Sequence, residues 1–207
     1  KYLEGNSNLE VIEGNLMDNQ IISGLVQDID IVYHLASLHL SIASSDQMYA
    51  ENNYGGTKLL LEESHRQGVS RFVYIGTVGV MKDMGRAAAD EGSPINHTTI
   101  YEKTKWMAEK FVTDYYQQTQ YPITIVRPSF VYGPRCPRTI KLFKNINKGR
   151  FFLVGDGSTY RQSAYVTDMA EGIWLASQKE EAIGQVYVIS GDEQTTVKDL
   201  LDGISEL

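Results

Sequence analysis

The 207-residue chain reads as an α/β protein built on a parallel sheet covered on both sides. Three observations predict this. Short runs that are apolar on both faces recur along the chain, as buried parallel strands require. Amphipathic stretches of helical period separate them, and strand–helix alternation folds as a parallel sheet with helical crossovers. The strand rhythm breaks down after about Pro134, which divides a sheet-forming part, 1–134, from a smaller, less regular part, 135–207, interleaved with it.

The elements follow in order. "LEVIE" (9–13), "IDIVYHL" (29–35), "RFVYIGT" (71–77), "PITIVRP" (122–128) and "GQVYVIS" (184–190) are the predicted strands. Helical patterns run over about 45–67, 98–118, 138–148, 166–178 and 196–206. At 42% hydrophobic residues the chain has enough apolar side chains for one sizeable core. A formal charge of −7 with no basic block argues against nucleic acid as the main partner. A single cysteine, Cys136, excludes an internal disulfide framework and fits a reducing compartment. No apolar run approaches the ~18 residues of a membrane span, and the opening "KYLEGNSNLE" has no apolar leader. A soluble, cytoplasmic protein is expected.

The stretch "IYEKTKWMAEK" (100–110) sets a phenol and an ammonium four residues apart on one helix. On a helical wheel Ile100, Tyr101, Met107, Ala108, Phe111, Val112 and Tyr115 fill one arc, with Lys105 at its border beside Tyr101. Glu102, Lys103, Glu109 and Lys110 fall opposite. A phenol of pKa near ~10 is a poor base at neutral pH. A neighbouring cation favours the phenolate, so the pair reads as a tuned general acid/base. The other reading is a core-edge tyrosine with a snorkelling lysine. Thr77, 24 residues before Tyr101, closes a strand at its carboxyl end, where ligands of open α/β sheets bind.

Seven segments together resemble the extended short-chain dehydrogenase/reductase family, in its NAD-dependent epimerase/dehydratase branch. They are "GNLMD" (14–18), "VYHLAS" (32–37), "ENNYGGTKLLLEES" (51–64), "FVYIGTVGV" (72–80), "YEKTK" (101–105), "VRPSFVYGPR" (126–135) and "GDGSTYRQSAYVTDMAEGI" (155–173). The resemblance implies a doubly wound, Rossmann-like sheet, NAD as cofactor (NADP not excluded) and a nucleotide-sugar substrate bound by the C-terminal part. It implies Tyr101 as acid/base, Lys105 on the nicotinamide ribose and Thr77 on the reacting substrate hydroxyl. Asn53 would order the site, Ala36 and Ser37 would lie along the cofactor, Leu16 near the adenine, and Pro128 to Val131 beside the nicotinamide. Arg161 would grip the substrate diphosphate with its bidentate fork. Turn chemistry for Asn53 and a surface ion pair for Arg161 stay open beside these roles. His34 reads as a satisfied strand residue and His39 as a weaker candidate. Such enzymes often dimerise through two long helices, and Trp106, on the outward side of its helix, suggests a homodimer.

Departures refine the expectation. Asn15 stands where the family has Asp. Val78 and Gly79 follow Thr77 where sugar dehydratases of the family carry an Asp–Glu pair, which argues against water elimination. No glycine-rich G-x-x-G-x-x-G turn occurs in the chain, and the matches start at the family's third strand. The chain therefore reads as lacking the first two strands, with weak dinucleotide binding expected of it. A nucleotide-sugar epimerase is the leading expectation. An NADP-linked reductase or hydroxysteroid-type dehydrogenase, and a non-catalytic remnant, are the alternatives.

Overall fold

The computed structural model describes residues 6–39, 44–82, 89–153 and 155–206. Helix α1 (Asn19–Leu25) is started by Asp18, whose carboxylate accepts from the Gln20 and Ile21 amides. Strand β1 (Ile31–His34) follows. Helix α2 (Asp46–Tyr49) is capped by Ser45 and passes through a π turn (Ala50–Gly55) into α3 (Gly56–Arg66). Strand β2 (Arg71–Ile75) leads to the long helix α4 (Ile100–Thr119), whose start is fixed by a reciprocal capping box between Thr99 and Glu102. Strands β3 (Ile123–Pro128) and β4 (Phe130–Tyr132), helix α5 (Pro137–Asn147), strand β5 (Ser163–Tyr165), helix α6 (Val166–Gln178), strand β6 (Val186–Ile189) and helix α7 (Val197–Ser205) complete the described chain.

The main sheet is fully parallel, in the order β1-β2-β3-β6. Strands β4 and β5 form a separate parallel pair. Every residue of β2 is buried, so its side chains feed two cores. Phe72 and Tyr74 pack with Ile22, Leu60, Leu61, Val112 and Ile123 under α1, α3 and α4. Val73 and Ile75 pack with Val126, Met169, Ile173 and Ala176 under α6. A fully buried aliphatic or aromatic side chain stabilises by about 1.5–3 kcal/mol, so the two clusters supply most of the driving force. The doubly covered sheet holds the carboxyl ends of β1, β2 and β3 along one edge, as the resemblance implied. Residues 135–207 return to that sheet: β6 extends it beside β3, and α6 covers one face.

Three expectations are corrected. Leu9 to Glu13 forms no strand; Val11 and Ile12 are exposed, because no described strand lies beside them to pair with. The helix expected over 45–67 is interrupted by the π turn. Helix α1 was not expected, since Ser23 and Gly24 dilute its helical signal. No helix among the described residues is long and apolar enough to cross a membrane.

Candidate active site

The first two turns of α4 face the carboxyl end of β2. Lys105 is 2% exposed, and its Nζ donates to the Ile75 carbonyl at 2.6 Å. The ammonium also lies 4.4 Å from the centre of the Tyr74 ring. The Tyr74 hydroxyl in turn donates to the Lys105 carbonyl at 3.2 Å. Burial pulls the Lys105 ammonium down to about 8, and the Glu109 carboxylate one turn along opposes the shift.

Tyr101 is half-buried beside the loop that leaves β1. The exposed Ser37 side chain draws its phenol down, and the His39 ring meets its edge at 5.0 Å. The same loop is held by Asn53 in the π turn. Asn53 accepts from the Leu38 amide at 2.6 Å and donates to the Leu38 carbonyl at 3.1 Å and the Thr104 hydroxyl at 3.0 Å. This buried side chain ties the loop after β1 to α4, one residue from Lys105 and three from Tyr101, in place of the local turn or cap chemistry left open for it.

The electrostatics differ from expectation. Burial raises the Tyr101 phenol above its ordinary range; Ser37 and Arg138 pull it down, and Glu102 adds to the rise. The Lys105 ammonium is turned onto the Ile75 carbonyl. The helical wheel is corrected too. Glu109 is 1% exposed and Met107 is 38% exposed, so the buried stripe runs through residues 104, 105, 108, 109 and 112, with the half-buried Tyr101 at its start. Trp106, expected to point outward, is half-buried.

Thr77 sits just past β2, its hydroxyl accepting from the Gly79 amide at 3.1 Å. The short 3₁₀ turn that it opens packs against α4. Ala36 is exposed on the loop after β1, and Pro128 closes β3. Val131 packs partly into the α6-side core. Leu16 lies against α3, where a Cβ on Gly56 would come 3.1 Å from its own Cβ. His34 is a satisfied strand residue. It is buried and hydrogen-bonded to Thr57 at 2.8 Å, and burial, helped by Lys105, pushes its imidazole down to about 3.

A cleft of about 600 Å³ opens between β4, β5, α5 and α7. Arg161 and Arg138 both line it, and both guanidinium groups lie over the Phe130 ring, at 6.0 and 4.7 Å. Arg161 thus makes a cation–π contact in place of an ion pair among the described residues. Arg138, whose charge reaches Tyr101, links the cleft to the Tyr–Lys helix. Sequence reasoning missed Arg138. Its signal was Pro137 at the first position of a helix directly after "YGPRC", which places residue 138 in the first turn at the sheet edge.

The profile of the NAD dependent epimerase/dehydratase family matches residues 2–190. The chain belongs to that family. It is 29% identical over 177 residues to the N-acetyl-alpha-D-glucosaminyl-diphospho-ditrans,octacis-undecaprenol 4-epimerase of Escherichia coli O157:H7, covering 84% of this chain and 53% of that one. It is 30% identical over 216 residues to the human dTDP-D-glucose 4,6-dehydratase, covering 99% and 61%. The fold superposes with a TM-score of 0.87, at 30% identity, on the UDP-glucuronic acid 4-epimerase of Bacillus cereus solved in complex with UDP-glucuronic acid and NAD. That match covers 99% of this chain and 67% of the other. The chain thus spans between about half and three-fifths of the curated relatives' length.

The family implies NAD, and this chain has polar groups that fit its nicotinamide half. The Ser129 hydroxyl, just past β3, is buried without a hydrogen-bond partner among the described residues. Lys105 spends one of its three N–H groups on Ile75, so two remain for acceptors at the sheet edge.

Proposed function

We propose that this chain serves an NAD-dependent enzyme that interconverts alcohol and ketone on a nucleotide-sugar, and that the reaction is epimerisation. The observation that carries this reading is the buried Lys105 ammonium at the carboxyl end of β2, one helical turn from a Tyr101 phenol that touches the loop after β1. Bound NAD supplies the hydride acceptor and donor. Tyr101 takes the proton of the sugar hydroxyl and returns it. Ser37 and Arg138 favour the phenolate that this requires. Thr77 orients the reacting hydroxyl. Lys105 and Ser129 hold the nicotinamide side, with Pro128 and Val131 flanking it, while Ala36 and Ser37 lie along the cofactor and Leu16 near the adenine. Asn53 keeps the loop after β1 and helix α4 in register. Arg161, joined by Arg138, binds the diphosphate, and the Phe130 ring beneath both offers an apolar face.

Val78 and Gly79 after Thr77 carry no proton-transferring group, which favours epimerisation over dehydration. Two arginines in the cleft favour a diphosphate-bearing substrate over a steroid. A homodimer through α3 and α4 belongs to the same reading.

The test incubates the protein with NAD and UDP-glucose, UDP-N-acetylglucosamine or UDP-glucuronic acid, and follows inversion of a ring carbon by proton NMR. One of the sugars is expected to reach an epimer equilibrium without net NADH release. Tyr101→Phe is expected to slow this by about 10²–10⁴-fold. Reduction of an apolar ketone at the expense of NADPH, with no epimer formed, favours the reductase alternative. A chain inert on every substrate, or a Tyr101→Phe variant as fast as the wild type, overturns the proposal.

A further inference from the structure

Behind the Tyr–Lys helix lies a charge pair that none of the roles above uses. Glu109 and Arg127 are both nearly inaccessible, with side chains 2% and 5% exposed. Arg127, on β3, donates from Nε at 3.0 Å and from Nη2 at 2.7 Å to the same oxygen, Oε1 of Glu109. Its Nη1 donates to the Glu91 carbonyl at 3.2 Å and to the Met81 sulfur at 3.4 Å. The other carboxylate oxygen, Oε2, is buried and accepts no hydrogen bond from the described residues. It is pressed against Gly76: a Cβ built on that glycine would lie 2.7 Å from it. Gly76 is the residue between Ile75, whose carbonyl receives Lys105, and Thr77. Its own amide is bonded to the Val126 carbonyl at 2.7 Å, next to Arg127. A carboxylate is therefore packed directly behind the strand end that carries two proposed site residues, and a glycine is what admits it.

A buried ion pair costs desolvation and is weak evidence of a stabilising role. Two apolar side chains would fill this space with less penalty. The charge has a different consequence: Glu109 follows Lys105 by four residues and so faces it on the same helical stripe. We propose that Glu109 is a positioning residue. Its carboxylate, oriented by Arg127, keeps Lys105 a cation at the carboxyl end of β2 and fixes the strand end that receives it. The significance of Lys105 rests on the function proposed above; the effect of Glu109 on Lys105 does not.

Among the described residues the groups facing Lys105 are few. On its own helix they are Glu109 and Tyr101; on β2, the Tyr74 ring; on β1, His34, which is held neutral. Arg127 on β3 faces Glu109. Burial brings Lys105 down to about 8, and Glu109 is the charge that works against this. Without that carboxylate only the Ile75 carbonyl and the Tyr74 ring are left to favour the charged form of the desolvated amine.

The test is a titration by carbon–proton NMR of protein labelled with ¹³Cε-lysine, the Lys105 signal being identified by its loss in Lys105→Met. In the wild type this signal is expected to titrate near 8, apart from the surface lysines. In Glu109→Gln its midpoint is expected to fall further, by at least a tenfold change in the proton dissociation constant. Because that variant leaves Arg127 buried and unpaired, Glu109→Gln/Arg127→Met is titrated alongside; removing the guanidinium as well takes away its own repulsion of Lys105, and a smaller downward shift is expected. A Lys105 midpoint unchanged in the folded variants overturns the proposal. The readout needs no turnover, so a shift in an inert protein upholds the Glu109 role and removes only the epimerase reading.

Discussion

Replacing Arg127 by Met tests whether the Glu109 carboxylate is held by its partner or merely tolerated beside it. The wild-type pair is buried on both sides and makes two charge-assisted hydrogen bonds to one oxygen. Methionine fills much of the guanidinium's volume but leaves Glu109 with neither oxygen paired, since Oε2 already has no partner among the described residues. Breaking a buried pair by removing one member costs about 3–5 kcal/mol. For a chain of this size each kcal/mol lowers the melting temperature by roughly 2–4 °C, so a fall of roughly 6–20 °C is expected. A matched control comes from Arg71 and Glu180, bonded at 3.0 Å with the glutamate side chain 84% exposed. Glu180→Ala is expected to change stability by no more than about 1 kcal/mol. Urea unfolding followed by circular dichroism at pH 7 gives both values, and adding Glu109→Gln to Arg127→Met is expected to recover most of the loss. An Arg127→Met protein within about 1 kcal/mol of wild type, or a double variant as unstable as the sum of its parts, would refute the argument.

Two pH predictions follow from the buried titrating groups. Lys105 is lowered from 10.5 to about 8 on folding, so between those values the unfolded chain holds a proton that the folded one has released, and stability from this group rises with pH. The electrostatic advantage of Lys105→Met is expected to be largest below pH 8, at about 3 kcal/mol, and to vanish toward pH 10.5; a difference that stays flat across that range contradicts the burial argument. His34 is lowered from 6.5 to about 3, so stability from this group is lost as pH falls through that window. His34→Phe is expected to flatten the wild-type acid slope between those values, with the Thr57 hydroxyl still donating to the Asn53 carbonyl at 2.6 Å; urea midpoints measured at several pH values check it, and an unchanged slope counts against it.

Much of the sheet was legible because a strand buried on both faces writes an unbroken apolar run. The four strands of the main sheet all fall inside predicted segments, and α4 spans residues 100–119 against an expected 98–118. Strands β4 and β5 escaped, since three residues are too few to show a period. The orientation of α4 was misjudged for another reason. Hydrophobicity placed Glu109 outside and Met107 inside, whereas the fold did the reverse. A charge is buried only when a partner meets it, and that partner stands 18 residues away on a different element.

By itself the sequence determined the strand–helix alternation, the pairing of Tyr101 with Lys105 on one helical face, and the strand-end place of Thr77. All are consequences of spacing along the chain. Only the tertiary structure decided that the ammonium turns to the Ile75 carbonyl, that the phenol is raised by burial, that Asn53 clamps the loop after β1, and that Arg138 and Arg161 meet over Phe130. Each of these depends on desolvation or on contacts between distant segments, which have no period to read.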